Sequence, residues 1–442
     1  MKKAVLVPVY FKSGRNNDYN KQLEAIKTLL ADEADVLEPA ALGTQIPEKA
    51  DAIVFPQVLG DAYKQVKDFK KLKLPLLLVT SEFGTVSMWD WEIASFLRTK
   101  GVSTIAPYNL DQTKKLCRSL SVKKELKGSK FLVFQDNPGQ GFQPEIFKRF
   151  YWWEDECTEL MYKKFGVEIV KKSFKELAQN AKNVPDNQVK DILKKRNMST
   201  GCCLPEKSLS SAIKMYVALK NELEQDNSIK GMGTNCLNES HFSDTTPCLA
   251  WSMLYAETGI MWACEADTMS LITEYILNKS LKAPIIMTNI YPFLMGMAAL
   301  KHEKIPHFPE VDSEPENHLL LAHCGYFGLV PQKFSCEWSL KPKVLGIVDE
   351  NSHVIDAQMK TGPVTLTKIG PSMDKIMVIP GQLEKYVRFL NSDCINGAVV
   401  KISDGHKLMN CLYSHHQCLM PGHRQIDIEL VAKIFGFDIE VI

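Results

Sequence analysis

The chain has 442 residues, 45% of them hydrophobic and 24% charged, and 53 basic against 52 acidic side chains leave a formal charge of +1. That length exceeds one compact core and predicts two or three domains. A near-neutral balance without a block of like charge gives no electrostatic basis for a nucleic-acid or anionic-membrane partner, and no window approaches the roughly 18 uninterrupted apolar residues of a membrane span.

From the N-terminus, residues 4–9, 52–56, 75–80 and 103–106 are short apolar runs bounded by polar or turn residues, which reads as buried strands. Between the first two, Leu23, Ile26 and Leu30 fall at i, i+3 and i+7, the stripe of an amphipathic helix. Strands alternating with helices predict a parallel sheet covered on both faces, a doubly wound α/β domain over residues 1–125. The charged stretch 122–130 precedes a new strand at 131–134, and a second such domain, residues 126–283, is expected to begin there. It continues with a helical pattern over 144–164, a strand at 167–170, a long polar helical stretch to residue 195, and a helix over 208–223. Gly231-Met232-Gly233 then reads as a turn beside a short strand.

Residues 244–289 are the most informative. Asp244-Thr245-Thr246-Pro247 places capping side chains ahead of a proline, a helix start, and Gly259 supplies the stop. Residues 260–264 form an apolar strand. Asp267 or Thr268 caps the next helix, in which Met269, Ile272 and Ile276 share a face. Residues 284–288 and 319–322 read as further strands. Past residue 340, segments 344–348, 353–357, 362–369, 375–379 and 397–402 are short, β-branched and punctuated by Gly, Pro, Asp and Asn. That texture predicts an antiparallel barrel or sandwich. A helix over 426–435 and a strand at 439–442 complete a third domain, 284–442.

In open α/β sheets, ligands sit beyond the carboxyl ends of the strands. Glu265 follows an apolar strand there and precedes a capped helix. Asn289 is read the same way, ending the next strand 24 residues on (289 − 265), and His323 and the pair His415-His416 follow at intervals. Carboxylate and amide oxygens with one or two imidazoles suit Mn²⁺, Mg²⁺ or Co²⁺. Such an ion can chelate adjacent oxygens of a sugar and stabilise an enediolate while a carboxylate moves the proton. Each residue also has a plainer reading: Glu265 as a salt-bridged helix-start residue, Asn289 as a turn, His323 as a satisfied core histidine, and of the His pair only one turned inward by strand alternation. The clusters Trp89-Asp90-Trp91 and Trp152-Trp153 could stack on a sugar or simply pack. Gly231-x-Gly233 lacks the third glycine of a dinucleotide fingerprint. Twelve cysteines occur without a CxxC pair, and Met1-Lys2-Lys3-Ala4-Val5-Leu6 opens the chain without a long apolar signal core. Reduced thiols and a cytoplasmic protein are therefore expected.

The segment Thr258-Gly259-Ile260-Met261-Trp262-Ala263-Cys264-Glu265-Ala266-Asp267 resembles the L-fucose isomerase-like proteins, which include the L-arabinose isomerases. Ala322-His323-Cys324-Gly325, Gly362-Pro363-Val364-Thr365-Leu366 and Ser414-His415-His416-Gln417-Cys418-Leu419-Met420-Pro421-Gly422 carry the same likeness over residues 230–442, while the N-terminal region agrees in texture only. The resemblance implies two α/β domains and a C-terminal barrel. It further implies an aldose–ketose isomerase with a Mn²⁺, Mg²⁺ or Co²⁺ cofactor, in a homo-oligomer, trimer or hexamer. In that reading Glu265 is metal ligand and base, His416 and His323 are ligands, and His415, Trp89 and Asp267 bind substrate. Asn289 falls where a second carboxylate is expected, and an amide can ligate but cannot act as a base. The missing base then comes from Asp267 or Glu239, or the correspondence is shifted by a few residues, or the chain has left the family reaction. The alternatives are a metal-free or weakly metal-dependent isomerase of a deoxy or sulfonated hexose, and a sugar-binding protein without catalysis.

Overall fold

The computed structural model describes residues 2–56, 61–78, 88–107, 109–138, 145, 148, 153–196, 204–300, 305–323, 332–342, 353–389 and 396–442. The fold is mixed α/β, with two parallel sheets and a closed six-stranded antiparallel barrel. The chain divides into two compact units: Met1–Lys127 with Lys279–Lys282 and Ile426–Phe437, and Gly128–Asn278 with Ala283–Gln425 and Asp438–Ile442. Among the described residues, no helix is long and apolar enough to cross a membrane.

In the first unit, β1 (Ala4–Tyr10), β2 (Ala34–Val36), β4 (Ala52–Phe55), β5 (Leu76–Leu78) and β6 (Thr104–Ile105) pair in parallel in the order β2-β1-β4-β5-β6. The short β3 (Ala40–Ala41) joins the far end of β1. The apolar runs are buried because helices pack on them: Ala94 and Leu97 of the helix Met88–Thr99 share a core with Val7, Ile53, Phe55 and Leu76. The stripe Leu23 and Ile26 lies on the helix Asn17–Leu29, capped by Asn16, whose Oδ1 accepts from the Tyr19 N–H at 2.8 Å. Arg118, nearly buried, bonds Glu33 at 2.8 Å and the Ser280 carbonyl at 2.8 Å, holding residues 279–282 to this unit.

In the second unit, β7 (Lys130–Phe134), β8 (Glu168–Lys172), β9 (Ile229–Thr234) and β10 (Met261–Cys264) form a parallel sheet in the order β10-β9-β7-β8. The polar stretch expected as one helix is two, Phe174–Lys182 and Asp186–Lys195. Pro185 stands at the start of the second, where its missing N–H and fixed φ interrupt the first. The glycines read as a turn lie inside β9. A Cβ on Gly233 would stand 3.2 Å from both the Ala263 carbonyl and the Ala266 Cα, so glycine there lets the chain after β10 fold down onto β9. The helix Cys248–Thr258 ends at Gly259 as expected, with φ +66. Its start differs: Thr245 and Thr246 spend their hydroxyls on carbonyls, Thr246 on that of His353 at 3.1 Å, and neither caps the helix.

The barrel comprises β11 (Ile286–Pro292), β12 (His318–Ala322), β15 (Gly362–Ile369), β16 (Lys375–Arg388), β17 (Asn396–Ile402) and β18 (His416–Pro421). Their order is β15-β18-β11-β12-β17-β16, and β15 pairs with β16 to close the ring. Leu319, Leu321, Leu366, Ile379, Val400 and Leu419 fill its interior. The strand β19 (Asp438–Val441) adds to β16 in parallel. Residues 353–357, expected with the barrel, form β14 (His353–Gln358), which pairs with β13 (Glu337–Pro342) in a separate two-stranded ribbon. The segment 344–348 lies outside the described residues. The segment expected at 375–379 extends through Pro380-Gly381 to 14 residues, because β16 pairs with β15 up to Leu383 and with β17 from Gly381 onward, with a bulge between Leu383 and Lys385.

Candidate functional site

Thr234 pairs with Phe134 on one side and Cys264 on the other, so Gln135, Asn235 and Glu265 are the first residues beyond three adjacent strands. At Glu265 the chain turns sharply: Glu265 and Ala266 have φ of +55 and +57, consecutive left-handed residues without a glycine. Such backbone is strained by about 1–3 kcal/mol per residue and persists only where surroundings over-determine it. Here those surroundings are visible. Gly233 clears the space below, the buried Trp153 indole N–H bonds the Ala266 carbonyl, and the Asp267 N–H reaches the Cys264 carbonyl at 3.1 Å. The turn delivers Asp267 to the N-cap of the helix Thr268–Leu281, where its Oδ1 accepts from the Ser270 N–H at 2.8 Å.

Asp267 is the hub of a buried network. Its Oδ2 accepts from Lys368 Nζ at 2.6 Å and the Ser270 hydroxyl at 2.9 Å, and lies 2.9 Å from His416 Nδ1. Lys368 also donates to the Ser270 hydroxyl at 3.0 Å. Lys368, Asp267 and His416 are all essentially inaccessible to solvent. Burial opposes charge on Asp267, yet the Lys368 ammonium and His416 outweigh it and hold the carboxyl well below the usual range.

The other ring nitrogen of His416, Nε2, stands 3.8 Å from Glu265 Oε1. Burial tends to raise the Glu265 carboxyl, but His416, with the charges of His415 and His323, brings it well below the usual range. His416 shifts the opposite way: burial favours the neutral ring, and the two carboxylates prevail and raise it. The His415 ring lies 4.3 Å from that of His416, and burial followed by the His416 charge pushes its pKa down to about 3. His415 is therefore neutral at pH 7, while the two carboxylates favour the protonated form of His416. Burial, and then the Asp267 charge, push the carboxyl of Glu274, further along the helix, well above the usual range.

Asn289 does not end a strand of the parallel sheet. It lies in the middle of β11, paired with His416 of β18 and Ala322 of β12. Its neighbour Ile290 packs into the barrel interior, so alternation turns Asn289 outward on the same face as His416. Its amide donates to the Tyr291 hydroxyl at 3.2 Å, and its buried Oδ1 has no hydrogen-bond partner among the described residues. His323, directly after β12, is buried close enough for its charge to act on Glu265. Trp89 belongs to the first unit, on the helix Met88–Thr99, and is 61% exposed. Trp153 serves the Ala266 turn, while Trp152, Cys324 and Gly325 lie outside the described residues.

The two carboxylates considered as substitutes for the base are both occupied. Asp267 is bound by Ser270, Lys368 and His416. Glu239 accepts from the backbone N–H groups of Asp136 and Asn137 at 2.9 and 2.8 Å and from the Asn235 amide at 3.2 Å. Lys368 and Ser270 went unrecognised in the sequence. The available signal was a lysine in the β-branched run Val364-Thr365-Leu366-Thr367-Lys368-Ile369, where burial of a cation demands a partner.

Glu265 and His416 are the pair that could hold a cation, since 3.8 Å is a separation two ligands of one ion adopt. The orphaned Asn289 oxygen is a neutral third donor. Among the described residues, three His, Cys, Asp or Glu side chains do not converge on one point. The described cysteines are free thiols. Comparison with protein-family models and with curated proteins returned no match.

Proposed function

We propose that the protein is a metal-assisted aldose–ketose isomerase, an intramolecular oxidoreductase acting on a sugar by enediolate proton transfer, on a scaffold like that of the L-fucose and L-arabinose isomerases. The observation that carries the reading is the ionised, buried Glu265 carboxylate facing a histidine whose other nitrogen is held by Asp267. Mn²⁺, Mg²⁺ or Co²⁺ held by Glu265 and His416 would supply positive charge toward adjacent sugar oxygens. Glu265 takes the proton from one carbon and returns it to the next, as the buried carboxylate that follows β10 and faces His416 Nε2. Asp267 acts through His416: it accepts from Nδ1 and thereby directs Nε2 toward Glu265. Lys368 keeps Asp267 ionised for that task. Asn289 presents a neutral oxygen to the substrate or the ion.

The amide in place of a second carboxylate supports a second reading, an isomerase with weak or no metal dependence, in which His416, whose protonated form the two carboxylates favour, polarises the sugar oxygen. In both readings the two parallel sheets are doubly wound, and the protein works as a homo-oligomer in the cytoplasm. The test is incubation with a panel of aldoses in D₂O, with and without Mn²⁺, following deuterium into C2. We expect incorporation that Glu265→Gln reduces at least about 100-fold, the usual scale for a lost proton-transfer group. Unchanged turnover in Glu265→Gln refutes the reading; turnover that survives exhaustive chelation selects the metal-free form.

A further inference from the structure

Beside Glu265, at the ends of the neighbouring strands, two further buried amides lie in the same row. Asn235, first beyond β9, is completely buried, and Gln135, first beyond β7, is 8% exposed. Adjacent strands are about 4.8 Å apart, so the row Gln135, Asn235 and Glu265 spans about 10 Å.

The orientation of the Asn235 amide is set by its neighbours. Its Nδ2 donates to Glu239 Oε1, and Glu239 is itself fixed by the N–H groups of Asp136 and Asn137. Two backbone N–H groups engage both oxygens of that carboxylate, which therefore accepts, so the amide nitrogen faces it and the amide oxygen faces away. Among the described residues, the buried Asn235 Oδ1 and Gln135 Oε1 have no hydrogen-bond partner. An unmet acceptor of this kind is costly and uncommon in native structures, and it marks a place where a ligand completes the bond.

We infer that Asn235, oriented by Glu239, is a specificity-determining acceptor for a hydroxyl group of the substrate, and that the substrate presents a neutral hydroxyl, not an anionic substituent, at this position. The inference rests on the proposed sugar chemistry of the Glu265 site. The donor–acceptor logic is direct: a hydroxyl can donate to Oδ1, whereas a sulfonate or phosphate brings only acceptors against an acceptor, with the Glu239 carboxylate behind it. Among the substrates considered above, this excludes a sulfonated group placed at this subsite. Glu239 is a positioning residue here.

Binding to the full-length protein is measured by calorimetry with L-fucitol, L-arabinitol and ribitol, alditols that carry the hydroxyls without a reactive carbonyl, and with their monodeoxy analogues. We expect one hydroxyl whose deletion weakens binding to the unaltered protein about 10- to 100-fold. Asn235→Ala should weaken the parent alditol by a similar factor and make the deoxy analogue no worse. Deletions that are all tolerated within about threefold, or an Asn235→Ala loss that simply adds to the ligand-side loss, would overturn the assignment. So would absence of binding by every alditol. The ligand-side series needs no variant and decides the matter even if Asn235→Ala fails to fold. Hydroxyl-specific binding together with no deuterium exchange from any aldose leaves the subsite intact and removes the isomerase reading.

Discussion

Replacing Lys368 with Met keeps most of the aliphatic stem and removes one charge from a site with no access to water. Lys368 is 1% exposed and its partner Asp267 is fully buried. Two hydrogen bonds disappear, at 2.6 Å to Asp267 and 3.0 Å to the Ser270 hydroxyl. What remains is a buried carboxylate balanced by His416 alone, and breaking a buried pair from one side costs about 3–5 kcal/mol. For a unit of this size we expect the melting temperature to fall on the order of 5–10 °C, measured by scanning fluorimetry or calorimetry. Removing both charges in Lys368→Met/Asp267→Asn should restore part of that loss, because no uncompensated ion is left, with a coupling of about 1–3 kcal/mol. A single variant within 1 °C of the parent, or a double variant showing the plain sum of the two losses, would refute the account of the network as an obligatory ion cluster.

Three further outcomes follow from the same contacts. Ala266→Gly relieves one left-handed residue and should stabilise the protein by about 1 kcal/mol, read as a rise in the denaturation midpoint. Gly233→Ala places a Cβ 3.2 Å from backbone atoms of Ala263 and Ala266; sugar turnover should fall at least about tenfold while the circular-dichroism spectrum stays unchanged. Burial opposes the Glu33 charge, but Lys282 and Arg118 hold its carboxyl below the usual range. Its folded pKa lies below the unfolded one, so its contribution is complete above pH 4.5 and is lost as pH falls through the folded value. Glu33→Gln should therefore cost about 1–3 kcal/mol at pH 7, and the difference from the parent should shrink in unfolding curves below pH 4.

What the chain determined by itself is what short-range physics can encode. The strand before Glu265, the stop at Gly259 and the cap at Asp267 all follow from local periodicity, a left-handed glycine and a side-chain oxygen three residues from its N–H. The β-branched, turn-punctuated texture of the C-terminal third announced an antiparallel barrel or sandwich, and strand pairing made it a barrel. Local texture misled where an element's limits depend on partners elsewhere. Pro380-Gly381 reads as a break yet lies inside β16, and Asn289 reads as a strand end yet lies mid-strand.

The site is of the second kind. Asp267 and Lys368 are 101 residues apart, and Asp267 and His416 are 149 apart. No periodicity connects them. They meet because β11 pairs with β18, β18 pairs with β15, and the helix starting at Thr268 begins beside the network. Tertiary structure also decided how the neighbouring carboxylates are engaged. The sequence singled out Glu265 and left Asp267 and Glu239 as sources of the missing second base, and the fold supplies those two with the cations and N–H groups that hold them.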